Sequence, residues 1–168
     1  NRASSAPTGA EAAGVVGGGA VVNSSGAILR ATDCTFIGNS VEGGSRYAFG
    51  GAIANVTNAR ASLIRCTFSG NTASGATAGH GGAIGNFGAS VLVVEGSTFA
   101  GNEVRGAGDA EATGGAIATR PGTVSTSGSR TTIVDTRFFG NRAVSAAGTA
   151  AGGALANVDS TLAVSRSG

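Results

Sequence analysis

Gly50-Gly51-Ala52-Ile53-Ala54-Asn55 and, 16 residues after Ala52, Phe68-Ser69-Gly70-Asn71 decide the fold, because both motifs recur in fixed phase. Gly-Gly-Ala-apolar also begins at Gly18, Gly81, Gly114 and Gly152, at spacings of 32, 31, 33 and 38 residues. Phe-x-Gly-Asn also begins at Phe36, Phe99 and Phe138. From the motif Ala to the following Phe is 16 residues in the first three repeats and 22 in the fourth. The surplus falls around Arg120-Pro121-Gly122 to Ser129, where Pro, Gly, Ser and Thr mark a surface loop. A third column stands three residues after each motif Ala: Asn23, Asn55, Asn86, Thr119 and Asn157.

Repeats of this length mean a solenoid, in which each unit buries its apolar face only against its neighbours. Around each Phe the apolar spacing is near two, the period of a strand. Five residues before Phe stand Ala31, Leu63, Val94 and Ile133; two before it stand Cys34, Cys66, Ser97 and Thr136. Helical repeats are excluded, because Gly and β-branched residues are too frequent for helices of useful length. The expected architecture is all-β: a right-handed, single-stranded parallel β-helix of about five coils of 31–38 residues, starting near 18, 50, 81, 114 and 152. Each coil reads as three-sided.

Stacking gives each column a physical role. Strands lie about 4.8 Å apart, so equivalent side chains sit over one another. Phe36, Phe68, Phe99 and Phe138 are expected to stack as a core column. Asn39, Asn71, Asn102 and Asn141, and separately Asn23, Asn55, Asn86 and Asn157, are expected to pass amide hydrogen bonds along ladders. The polar, Gly-rich segments Ser40–Phe49, Thr72–His80, Glu103–Thr113 and Arg142–Ala151 read as projecting loops, and changes within Thr72–His80 are expected to spare folding. Asn1-Arg2-Ala3 is similar to Asn141-Arg142-Ala143, and the repeat runs to both ends. The 168 residues therefore read as one β-helix segment internal to a longer chain, with further coils as its first partners.

Composition agrees. Charged residues are 12% of the chain and Gly numbers 31, while 41% of residues are apolar. That combination is the opposite of a disordered segment. The net charge is +2, the eleven basic residues are scattered arginines, and aromatic residues are 5%. This argues against a nucleic-acid surface, which gathers cations with stacking rings. No apolar run is long enough to span a membrane as a helix.

Catalysis by a β-helix needs clustered carboxylates or a cation site. The acids are Glu11, Asp33, Glu42, Glu95, Glu103, Asp109, Glu111, Asp135 and Asp159. Asp33 and Asp135 share a repeat position but stand three coils apart, roughly 14 Å by strand spacing, too far to act as a pair. Asp109 and Glu111 share a segment and suit only weak cation binding. His80, the single histidine, lacks neighbouring ligands for a metal and reads as an exposed turn residue. The expectation is a chain with no catalytic, cofactor or metal site. Cys34 and Cys66 occupy equivalent positions in successive coils and are the candidate disulfide, although in-register side chains point the same way rather than at each other. The outward Thr35, Thr67, Thr98 column suggests an ice-binding array but breaks at Arg137.

The alternation of Gly-Gly-Ala-[Ile/Val/Leu] with Phe-x-Gly-Asn resembles the repeats of the polymorphic outer membrane proteins, whose hallmarks are GGAI and FxxN. More broadly it is similar to the pectin-lyase-like β-helix superfamily. The resemblance covers Gly17 to Gly168 and implies a secreted or surface-displayed passenger, often an adhesin. The expected function is that of a non-enzymatic structural or interaction β-helix at the cell surface, meeting protein or glycan partners through edges and loops. Two alternatives stand beside it. One is a glycan-binding or glycan-cleaving β-helix whose site lies outside these residues. The other is a subunit of a large extracellular or lumenal assembly.

Overall fold

The computed structural model describes residues 1–5, 16–44, 47–122 and 127–168; Glu11, Ser45, Arg46 and part of the fourth-repeat insertion lie outside them. The described strands form five parallel sheets, each made by one strand from every successive coil. In chain order after the Gly-Gly corner, sheet I stacks Val21–Asn23, Ile53–Val56, Ile84–Phe87, Ile117–Arg120 and Leu155–Asn157. Sheet II stacks Ile28–Thr32, Arg60–Ile64, Val91–Glu95, Arg130–Val134 and Thr161–Ser165. Sheet III stacks Thr35–Ile37, Thr67–Ser69, Thr98–Ala100 and Arg137–Phe139. Sheet IV stacks Arg2–Ser5, Ser40–Gly43, Thr72–Gly75, Glu103–Gly106 and Arg142–Ser145. Sheet V stacks Val16–Gly17, Tyr47–Phe49, Ala78–His80, Glu111–Thr113 and Ala150–Ala151. The molecule is a parallel β-helix. Among the described residues no helix is long and apolar enough to cross a membrane.

Sheets IV and V correct the expectation of projecting loops. The segments between Phe-x-Gly-Asn and Gly-Gly-Ala are paired strands, and the coil has five sides rather than three. Their inward positions are small: Val41, Ala73 and Val104 in sheet IV and Ala48 and Ala112 in sheet V form a second core cluster. Small inward residues carry little hydropathy signal, so the period-2 pattern there is hidden among glycines and hydroxyls. The fourth-coil insertion lies between the pairings Phe87↔Arg120 and Val91↔Arg130, that is, at the corner between sheets I and II.

The main core runs along the axis in columns. Phe36, Phe68, Phe99 and Phe138 stack with ring centroids 4.8, 4.6 and 5.0 Å apart and nearly parallel planes. Beside them lie the buried columns Ile53–Ile84–Ile117, Leu63–Val94–Ile133 and Ala52–Ala83–Ala116. The Ala column is small because it follows the corner at which successive backbones crowd.

That corner explains the Gly pair. The first glycines, Gly50 and Gly81 among them, adopt φ of 59° and 69°, a region that costs other L-residues roughly 1–2 kcal/mol. The second glycines have ordinary φ, but a Cβ on Gly82 would press into the carbonyl of Gly115 in the next coil and into the backbone of Glu103. Gly70 of Phe-x-Gly-Asn also has positive φ (60°), yet a Cβ there meets nothing within 4 Å. Gly82→Ala is therefore expected to prevent folding of the central coils, while Gly70→Ala lowers stability by only about 1–2 kcal/mol. Urea denaturation of the two variants checks this, and equal losses would refute the distinction.

Candidate functional site

The interior carries four polar columns, and these are where most of the buried chemistry lies. Asn39, Asn71, Asn102 and Asn141 follow the positive-φ glycine that turns sheet III into sheet IV, so their side chains enter the core. Asn71 Oδ1 accepts from the Asn39 backbone N–H (3.0 Å) and from Asn39 Nδ2 (2.9 Å). Asn102 does the same for Asn71, and Asn141 for Asn102, at 3.0 and 2.9 Å. The second amide proton of Asn71, Asn102 and Asn141 goes to the carbonyl of Phe36, Phe68 and Phe99 respectively. The Asn71 and Asn102 amides thus each donate twice and accept twice, which an aspartate cannot do. Asn1 stands at the head of the column, 3.3 Å from Asn39 Oδ1.

The second ladder starts as Asn23→Asn55→Asn86, at 2.7 and 2.8 Å. It then meets Thr119, whose side chain is too short to receive Asn86. Asn86 Nδ2 instead reaches Thr131 Oγ1 (2.9 Å), which shares a 2.7 Å bond with Thr119 Oγ1. Thr131 occupies an inward position whose register partners are Leu92 and Leu162. A hydroxyl in a leucine column makes sense only beside Thr119: the two threonines together replace one asparagine. Asn157 bonds to the carbonyl of Ser160 in its own turn.

Of two hydroxyl columns, one escaped the sequence reading, and the other stands in the Cys34, Cys66, Ser97 and Thr136 column two residues before each Phe. Ser90, Ser129 and Ser160 Oγ accept from the backbone N–H of Ala59, Ser90 and Ser129. Ser97, Thr136 and Ser167 hydroxyls accept from Cys66, Ser97 and Thr136, and each donates to the carbonyl two residues before it at 2.9 Å. Aligning the residue before each sheet II strand would have exposed the first column. The Cys34 and Cys66 thiols occupy the same slot, pointing to the carbonyls of Thr32 (3.3 Å) and Ile64 (3.4 Å). Both are free thiols. Burial pushes the Cys66 thiol up, which disfavours the reactive thiolate.

Asp33 and Asp135, distant from each other, are each held by an arginine one coil on. Arg65 grips Asp33 with two bonds of 2.7 Å, and Arg166 grips Asp135 at 2.7 and 3.0 Å. These hydrogen bonds hold both carboxyls below the usual range. Glu111 accepts from Arg120 at 3.1 Å. Among the described residues no three His, Cys, Asp or Glu gather closely enough to hold a metal ion.

His80 is the main correction: it is 4% exposed rather than a surface turn residue. It ends the sheet V strand in register with Phe49 and Thr113. That column faces Phe87 and Arg120 of sheet I across the small residues Gly85 and Ala118. The corner between the two sheets is filled from outside by a further cluster in which Phe49 and Phe87 lie 4.7 Å apart. His80 Nδ1 shares a 2.7 Å bond with Thr113 Oγ1. One Arg120 guanidinium nitrogen lies 3.2 and 3.0 Å from the two ring nitrogens. An atom that close to both can only lie over the ring face, so the contact is a stack on a neutral imidazole. Burial first, then the Arg120 charge, pushes His80 down to about 3.

With the coil geometry established, the comparison with known proteins gains meaning. Residues 65–86 match the Chlamydia polymorphic membrane protein repeat. The repeat is similar to that one. The matched stretch contains Phe68, Asn71, Gly81-Gly82-Ala83-Ile84 and Asn86, which are the stacking, ladder and corner residues of a single coil. No curated protein and no solved structure matches the chain, so membership of the pectin-lyase-like superfamily is not shown.

Two outcomes are expected from these sites. Thr131→Leu alone removes the hydroxyl partner of both Asn86 and Thr119 while Asn86 keeps the Arg130 carbonyl and should cost about 1–3 kcal/mol, whereas Thr131→Leu with Thr119→Asn should restore most of the loss. Additive losses in thermal denaturation would show that the threonines are not coupled. For His80, the unfolded chain takes up a proton below pH 6.5 that the folded chain refuses down to about pH 3. Stability should therefore fall as pH drops through that window, by up to about tenfold in the unfolding constant per pH unit. His80→Gln should flatten the dependence between pH 7 and 4.5, and an unchanged slope would show that other groups cause it.

Proposed function

We propose that the chain is a non-enzymatic stretch of a surface-displayed or secreted β-helix, a shaft that meets protein or glycan partners through its outer faces. The match of residues 65–86 to a membrane-protein repeat carries this reading. It falls on the residues that build a coil, so what is shared is the shaft itself.

The state of the carboxylates supports the non-enzymatic part. A general acid in a β-helix needs a raised pKa. Asp33 and Asp135 are instead lowered by bidentate arginines from the neighbouring coil. Arg105 Nε lies 2.5 Å from Glu103 Oε1, off the hydrogen-bonding direction, and Glu111 lies against Arg120. The acids act as struts between and within coils. Interior polar groups are likewise spent on stacking, which leaves the outer faces for recognition.

Protease treatment of intact cells that make the protein is expected to remove epitopes of these coils while cytoplasmic markers survive. Protection until lysis would overturn the surface assignment. Incubated with a panel of polysaccharides, the chain is expected to release no new reducing or unsaturated ends. Turnover abolished by Asp33→Asn or Asp135→Asn would overturn the non-enzymatic reading.

A further inference from the structure

Three arginines scattered in the sequence are gathered by the fold onto the outer face of sheet II, two of them along one rim. In that sheet alternate residues point outward, as the burial pattern of Arg60–Ile64 and Arg130–Val134 shows. The outward rows, read across coils, are Ile28–Arg60–Val91–Arg130–Thr161, then Arg30–Ser62–Val93–Thr132–Ala163, then Thr32–Ile64–Glu95–Val134–Ser165. Arg30, Arg60 and Arg130 are exposed, and among the described residues none has an acidic partner within salt-bridge distance. The other rim is different in kind. Glu95 lies there, and the adjoining turn column holds the neutralised pairs Asp33–Arg65 and Asp135–Arg166.

The charge is thus segregated across the sheet. Four residues of strand separate the Arg60 row from the Glu95 row, about 13 Å, which exceeds the screening length of about 8 Å at physiological ionic strength. Of the remaining acids, exposed Asp159 lies nearest, in the turn before Thr161, one coil beyond Arg130. Along the axis, Arg60 and Arg130 are two coils apart, about 10 Å. Arg30 is one coil from Arg60 on the other side. The surface between them is flat and carries the hydroxyls of Ser62, Thr132 and Thr161, with Val91 and Val93 half-buried.

We infer that this rim binds an extended anionic polysaccharide, a sulfated or carboxylated glycan lying parallel to the helix axis. Arg60 and Arg130 share one row two coils apart, with Arg30 set diagonally one row inward, a spacing of about 10 Å that suits a polymer whose anionic groups recur every two sugars. The neighbouring hydroxyls suit sugar hydroxyl groups. No aromatic ring lies in the three rows, so a single-stranded nucleic acid lacks the stacking platform it uses, and a neutral glycan finds no ring to stack on. The inference rests on the surface-interaction reading above and gives it a ligand class.

The test uses the 168-residue chain on immobilised heparin, with neutral dextran and single-stranded DNA as comparison matrices. Retention on heparin but not dextran is expected, falling steeply with salt as counterions are released. Arg60→Ser/Arg130→Ser should weaken heparin binding about tenfold or more and reduce the salt slope by about two. Arg105→Ser/Arg142→Ser removes the same charge from sheet IV and should leave affinity within about twofold, with circular dichroism showing both variants folded. Equal losses from the two double variants, no retention at 50 mM salt, or DNA bound as tightly as heparin would each overturn the inference. Cell-surface exposure measured by protease does not depend on these arginines, so failure here and failure of the surface assignment are separate results.

Discussion

In-register parallel pairing places each residue about 4.8 Å from its counterpart in the next coil, and the rest of the structure follows from it. A buried amide meets another amide, so Asn39, Asn71, Asn102 and Asn141 satisfy one another without water or charge. A buried ring meets a ring at stacking distance. A small residue meets a small residue, which is why the corner Ala column and the second glycine recur together. The same rule makes errors costly, because one misfit residue leaves its neighbours above and below unsatisfied.

The fourth coil shows how the rule tolerates change. Thr119 interrupts the second Asn ladder, and Thr131 repairs it from the adjacent sheet by giving up a leucine position. The repair is possible because inward side chains of sheets I and II meet across the corner that joins them. The insertion in that coil sits at this corner between Arg120 and Arg130, and the strands on both sides keep their register. Polar order is thus conveyed along the axis and, where necessary, across it.

Interior regularity also determines what the exterior can do. Carboxylates that share a column with arginines are drawn into ion pairs between coils, as Asp33 with Arg65 and Asp135 with Arg166. Arg30, Arg60 and Arg130 make no ion pair among the described residues, and the pairing register gathers them on the outer face of sheet II, Arg60 and Arg130 along one rim. A shaft of this kind obtains a linear charge pattern from its period alone.

Much of the coil was legible in the residues themselves. Phe68, Asn71, Gly81-Gly82-Ala83 and Asn86 announce a parallel stack, because large, amide or conformationally special residues recur only where geometry demands them. Sheets IV and V were hidden, since their strands are short and their few inward Ala and Val residues stand among glycines and hydroxyls that are equally at home in loops. His80 was misread for a related reason. Its burial depends on Phe49, Phe87 and Arg120, which lie 31, 7 and 40 positions away and meet it only across an outer corner. Sequence alone determined the period, the axis and the stacked columns, because each is a relation between a residue and its own repeat. Only the tertiary structure decided which side chains of different columns meet, since that depends on the angles between sheets, and no spacing along the chain encodes them.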